Sequence, residues 1–230
     1  MPHYLNKAKL YMVVNLMREA LSIDLCDYPL CVPALCEEEE VIVKLAPFKT
    51  KGLRGVAALS DENFEQDIIL LNKNRNGNEM NFDCAHELFH LMVHRDEEIR
   101  TFNCFEKARP NQDPFLEWQA NEGGAEFILP YELLLPIIKD EMPKWGTWYK
   151  FESFKQALAQ DFNISTAVVE YRIDCLKYEI NQYVKGVPLK ELEFLSKKQR
   201  KERGLDGPSL NDVSKRLYNE DILKWHGNKI

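Results

Sequence analysis

The run His86-Glu87-Leu88-Phe89-His90 constrains this chain more than any other feature. On a helix, residues i and i+4 share one face. The two imidazoles can therefore meet a single zinc ion at about 2.0–2.1 Å each. Glu87 is turned by about 100° from His86, which sets it beside the metal rather than on it. There its carboxylate can take a proton from a water that the metal activates. Leu88 and Phe89 suit a helix buried in a core. The pattern arises by chance in on the order of one chain in a hundred of this length, so context has to support it. Here a strand and a loop are predicted just before the helix, and His94 extends the same stripe by four residues.

A catalytic zinc needs a third protein ligand and an open fourth position. A third histidine six residues past His90 is missing, because Val93 and Asp96 stand where glycine and histidine would be needed. A glutamate on a following helix is left. Glu117 opens such a helix in Glu117-Trp118-Gln119-Ala120-Asn121, where Ala120 allows close approach and Asn121 shares the face of Glu117. Asn121 can then hydrogen-bond a ligand imidazole. Glu122 and Glu126 compete for the same role, and Glu97, Glu98, Glu106 and Asp113 are further carboxylates nearby. Without a metal, Glu117 reads as a solvated charge favoured by the helix dipole. His94 has three readings: a C-terminal helix cap, a group that polarises substrate or stands behind a ligand, or a third ligand. Cys84 reads as a core filler. Tyr131 and Tyr149 join His94 as possible transition-state electrophiles.

Around this motif the periodicity predicts a helix over 6–22, with strands over 41–45, 56–59 and 68–71. The segment from Cys26 to Cys36, with Pro29 and Pro33, is predicted as a loop or extended connection. The metal-binding helix is predicted over 81–94, an irregular stretch over 97–113, and a second helix over 115–128 stopped by Pro130. Pro136 and Pro143 are expected to interrupt the stretch after Pro130. Helices are predicted over 150–160 and 166–184, with one or two more around 204–208.

The net charge of −7 argues against a protein that wraps nucleic acid. From Lys185 onward 11 Lys and Arg stand against 7 Asp and Glu, which reads as a mixed-charge solvated tail. Six cysteines without zinc-knuckle spacing, no leader-like N-terminus and no membrane-length apolar run predict a cytoplasmic protein with free thiols.

Three pieces of the chain resemble the ImmA/IrrE family of metallopeptidases. The first is Ile68-Ile69-Leu70-Leu71-Asn72 leading into Phe82-Asp83-Cys84-Ala85-His86-Glu87-Leu88-Phe89-His90. The second is Glu117-x-x-Ala120-Asn121, running on to Leu129-Pro130. The third is Leu158-Ala159-x-x-Phe162-Asn163-Ile164-Ser165 with Val168 and Arg172. The resemblance implies His86, His90 and Glu117 as zinc ligands and Glu87 as general base; Asn121 and His94 stand as candidates for a place behind the ligands on the residue reading alone. It implies an α+β fold: a small, mostly antiparallel sheet of about three strands carrying a thermolysin-like helix pair, followed by a helical C-terminal region. The expected division is a metallopeptidase domain over 1–145, a helical segment over 146–185 and a mixed-charge helical tail over 186–230. Where the family's second helix has a bulky and then a small residue, this chain has Gly123-Gly124, and a looser or kinked helix is expected.

The implied activity is zinc-dependent, site-specific cleavage of a regulatory protein, as in anti-repressors of mobile elements or in stress responses. The implied partner is a helix-turn-helix repressor. The alternatives are a non-catalytic metal-containing regulator that binds a repressor or DNA, and metal-dependent hydrolysis of something other than a peptide. Glu87 separates the first alternative from an enzyme, since a structural zinc site has no use for a carboxylate beside its metal. Leu158 to Leu176 can be read as a helix-turn-helix or as a plain helical pair. Its lack of basic charge favours the pair.

Overall fold

A computed structural model of the chain describes residues 4–60, 65–107 and 109–227. It forms two compact units, one of residues 1–130 with 162–165, the other of 131–161 with 166–230. The fold is α+β.

The first unit is built on a four-stranded sheet of β1 (Ile42–Ala46), β2 (Leu53–Ala58), β3 (Ile68–Asn72) and β4 (Thr101–Phe105), in the order β1-β3-β2-β4. β1 runs parallel to β3, while β2 is antiparallel to both β3 and β4. Gly55 and Ala57 on β2, Ile69 and Leu71 on β3, and Phe102 and Cys104 on β4 are all buried. This is the period-2 alternation of a sheet with one covered face. The cover is α3 (Gly77–Val93), and small residues at positions 55 and 57 let it approach β2.

α3 is buried without interruption from Asn81 to Leu91, as expected of a helix enclosed on all sides. It begins four residues earlier than its apolar pattern predicts, because a capping box starts it. The Asn76 side chain accepts from the Glu79 amide at 2.9 Å, and the Glu79 carboxylate accepts from the Asn76 amide at 3.1 Å. α4 (Pro114–Ile128) crosses α3, its start fixed by Asp113 as cap and Pro114 in the first turn. α1 (Lys7–Ala20) packs on α4.

Several expectations change. Val32–Glu38 is a helix, α2, because Pro33 falls in its first turn, where a missing N–H costs nothing. The stretch 97–113 contains β4 as a fourth strand. In the second unit α5 (Tyr131–Glu141) runs through Pro136. It is followed by α6 (Trp148–Asp161), α7 (Thr166–Cys175) and α8 (Lys177–Val184), so the single helix predicted over 166–184 is divided at Leu176. α9 (Lys197–Glu202) and α10 (Leu210–Gly227) complete the tail. No helix among the described residues is long and apolar enough to cross a membrane.

Candidate metal centre

The centre is made where α3 and α4 come closest, and two glycines set that distance. A Cβ at Gly124 would lie 3.0 Å from the His86 amide nitrogen and 3.1 Å from the Ala85 carbonyl carbon. One at Gly123 would lie 2.2 Å from the Phe89 ring. The glycine pair therefore does not loosen α4, which is continuous. It gives α3 backbone contact just behind the first histidine.

His86 and His90, both fully buried, turn their Nε2 atoms toward each other at 3.2 Å. The Glu117 carboxylate closes the group, 3.6 Å from His86 Nε2 and 3.8 Å from His90 Nε2. Two nitrogens held at about 2.0–2.1 Å by one tetrahedral ion lie about 3.3–3.4 Å apart. The imidazole pair thus already has the spacing of metal ligands, and Glu117 needs only a small inward movement. All ligating atoms of the three side chains lie within 4.8 Å of one another.

The electrostatics agree with a cation site. Burial first, and then the Arg54 charge, lower the pKa of His86 to about 3. Burial, then His86 and His94, hold His90 well below its ordinary value. Both imidazoles are thus neutral, with lone pairs available. Burial raises Glu117 to about 7, against a Gln112 hydrogen bond and the Arg54 charge.

Glu87 lies beside this group. Neither of its oxygens completes a hydrogen bond, although the Cys104 amide approaches. Burial first, then Glu117 and Asp83, raise its pKa well above the carboxylate range. Gly55 lies against it: a Cβ there would come within 2.5 Å of Glu87 Oε1. Cys104, with His86 and Glu87, forms a second possible ligand cluster, all buried.

His94 follows His90 by one turn, with its Nδ1 2.9 Å from His90 Nδ1 and its Nε2 3.3 Å from Gln119 Oε1. Asn121 stands beside the His86 ring closely enough to raise its pKa. Its amide donates to the Glu117 carbonyl at 2.8 Å, and His86 Nδ1 has no hydrogen-bond partner. Glu122 is turned to the far side, accepting from the Tyr11 hydroxyl at 2.6 Å. Glu126 is buried and belongs to no ligand cluster found among the described residues. Asp113 is occupied as the α4 cap, while Glu98 and Glu106 are exposed. Tyr131 and Tyr149 both belong to the second unit. Cys84 is fully buried, with its sulfur 3.8 Å from that of Cys36.

Sequence reasoning missed Gln119, Gln112, Arg54 and Gly55. Arg54 lies 3.2 Å from the buried Asp83 and donates to Cys104 Sγ at 3.1 Å. No local pattern marks Gln119, Arg54 or Gly55, since each acts across elements far apart in the chain, and Gln112 lies in a stretch without helical or strand periodicity.

A buried helix carrying two histidines and a glutamate, crossed by a second helix that brings another glutamate, defines the architecture of metallopeptidases of the His-Glu-x-x-His type. The IrrE N-terminal-like domain, the model of peptidase family M78, matches residues 36–174. The chain belongs to this metallopeptidase family. No curated protein matches the chain significantly.

Proposed function

We propose that this protein is a zinc-dependent endopeptidase that cuts a helix-turn-helix repressor or similar regulatory protein. His86, His90 and Glu117 would hold the metal, and Glu87 would be the general base. The observation that carries this reading is the convergence of two neutral Nε2 atoms and one carboxylate, with a second carboxylate beside them. Bound zinc would polarise the scissile carbonyl and acidify the attacking water. Glu87 would take that water's proton and pass it to the leaving amine. Its full burial and raised pKa suit a group that must hold a proton between two steps. Gly55 leaves the space its carboxylate occupies.

A peptide substrate is favoured by β4. This strand is paired only with β2, on one side, among the described residues, and its Phe102 stacks on His90 with ring centroids 4.3 Å apart. The Asn103 carbonyl accepts from the Gln112 side-chain amide at 2.6 Å. This edge can therefore take an amide donor, as it would from an added substrate strand. Against DNA binding, the only cation of α7 is Arg172, which is fully buried, and its exposed positions are Ala167 and Asp174.

The test is incubation with helix-turn-helix repressors from the same source, with zinc, with chelator, and with Glu87→Gln. Zinc-dependent cleavage that the variant lacks is expected. Binding of the repressor without cleavage under any condition would instead make the protein a non-catalytic regulator.

A further inference from the structure

The geometry points to His94 and Gln119 as positioning residues: together they hold His90 in the one tautomer whose Nε2 lone pair faces the metal. This inference rests on the metal-centre reading above.

Three buried groups form a line leading to the metal position. Gln119 Oε1 is 3.3 Å from His94 Nε2, His94 Nδ1 is 2.9 Å from His90 Nδ1, and His90 Nε2 is 3.2 Å from His86 Nε2. His94 is 3% exposed and Gln119 1%, so bulk water does not readily replace either contact. The ring planes are fixed as well. Phe102 stacks on His90, and Phe89 meets His94 edge-on at 5.3 Å.

The protons in such a line are not independent, because a neutral imidazole carries one N–H and one lone pair. With its oxygen toward His94, Gln119 can only accept, so His94 Nε2 carries the hydrogen. His94 Nδ1 then has a lone pair and must accept. The hydrogen between the two rings therefore belongs to His90 Nδ1, and His90 Nε2 is bare. The opposite arrangement would need the Gln119 amide turned over, its NH2 donating to His94 Nε2, and His90 would then aim an N–H at the metal position. One amide thus selects the ligand tautomer through an intervening histidine, the task that a carboxylate or carbonyl commonly performs directly. The line also accounts for a histidine one turn beyond the motif that faces away from the metal.

Two measurements test this. In metal-free protein, long-range ¹H–¹⁵N spectra should show His90 as the Nδ1–H tautomer and His94 as the Nε2–H tautomer. A His90 Nε2–H tautomer in the unaltered protein overturns the inference without any variant. The second measurement is zinc affinity by competition with a chromophoric chelator, with folding checked by circular dichroism. His94→Phe and Gln119→Leu should each weaken zinc binding by about 10–100-fold, the usual effect of removing a group behind a ligand. Gln119→Glu keeps an acceptor toward His94 and should bind zinc like the unaltered protein. Folded His94→Phe and Gln119→Leu with undiminished affinity overturn the relay. His90→Ala separates this outcome from failure of the centre itself: if it also retains zinc, the ligand assignment is wrong. If it alone loses zinc, only the relay is.

Discussion

The two carboxylates of the centre differ in surroundings, and the difference sets how each responds to a metal. The Glu117 side chain keeps 13% of its surface exposed, whereas Glu87 keeps none. In metal-free protein Glu117 titrates near 7 because burial penalises its charge. The folded chain therefore binds more protons than the unfolded chain between the ordinary carboxylate range and about 7. Its stability falls as pH rises through that window. A divalent cation reverses this by accepting the ionised carboxylate. The rise in melting temperature on adding zinc should accordingly be small at about pH 5.5 and grow toward about pH 7.5, as a thermal-shift series would show. A constant increment across the series would remove Glu117 from the ligands. Glu87→Gln keeps size and packing but would remove the proposed base. It should retain zinc while turnover drops by about 10²–10⁴-fold, measured as cleavage rate against bound metal. Full turnover in that variant would place the base elsewhere.

The helix pair was legible in the sequence because His86 and His90 stand one turn apart on α3, and Pro114 and Pro130 bracket α4. The capping signals Asn76 and Asp113 are also local. β4 was less legible. Its alternation Phe102, Asn103, Cys104 is present, but it lasts only five residues and lies close to Pro110 and Pro114. α2 was lost because Pro33 was read as a breaker when it occupies the first turn. The Gly123-Gly124 pair was visible but misjudged. In an isolated helix each glycine costs about 1 kcal/mol against alanine, whereas here the pair is what α3 packs into. Gly123→Ala gains that propensity but places a methyl 2.2 Å from the buried Phe89 ring. Overpacking of this kind costs about 1–3 kcal/mol, and Phe89, 0% exposed, can shift only against other buried groups. Thermal denaturation should therefore show Gly123→Ala to be less stable than the parent. An alanine variant of equal or higher stability would mean that α3 and α4 are not held this closely in solution.

Among the described residues, the groups gathered at the candidate metal centre lie in the first unit: Glu87, His86 and His90 on α3, Glu117 on α4, and Gly55 and Cys104 on the sheet. The relay residues His94 and Gln119 lie there too. The energetic consequence comes from linkage. An ion that binds only the native site stabilises it by RT ln(1 + [L]/Kd), about 2.7 kcal/mol at 100 times Kd. That stabilisation appears in whatever part of the chain must open together with the site. If His86, His90 and Glu117 hold that ion, opening that parts α3 from α4 forfeits all of it. Unfolding of α9 or α10 breaks no ligand contact. Hydrogen exchange followed by mass spectrometry, with zinc against chelator, should thus show peptides of α3, α4, β2 and β4 slowed strongly. Peptides of α9 and α10 should exchange at the same rate in both states. Protection spread evenly over every helix would mean that the chain opens only as a whole. Protection confined to α3 and missing from α4 would argue directly against Glu117 as the third ligand.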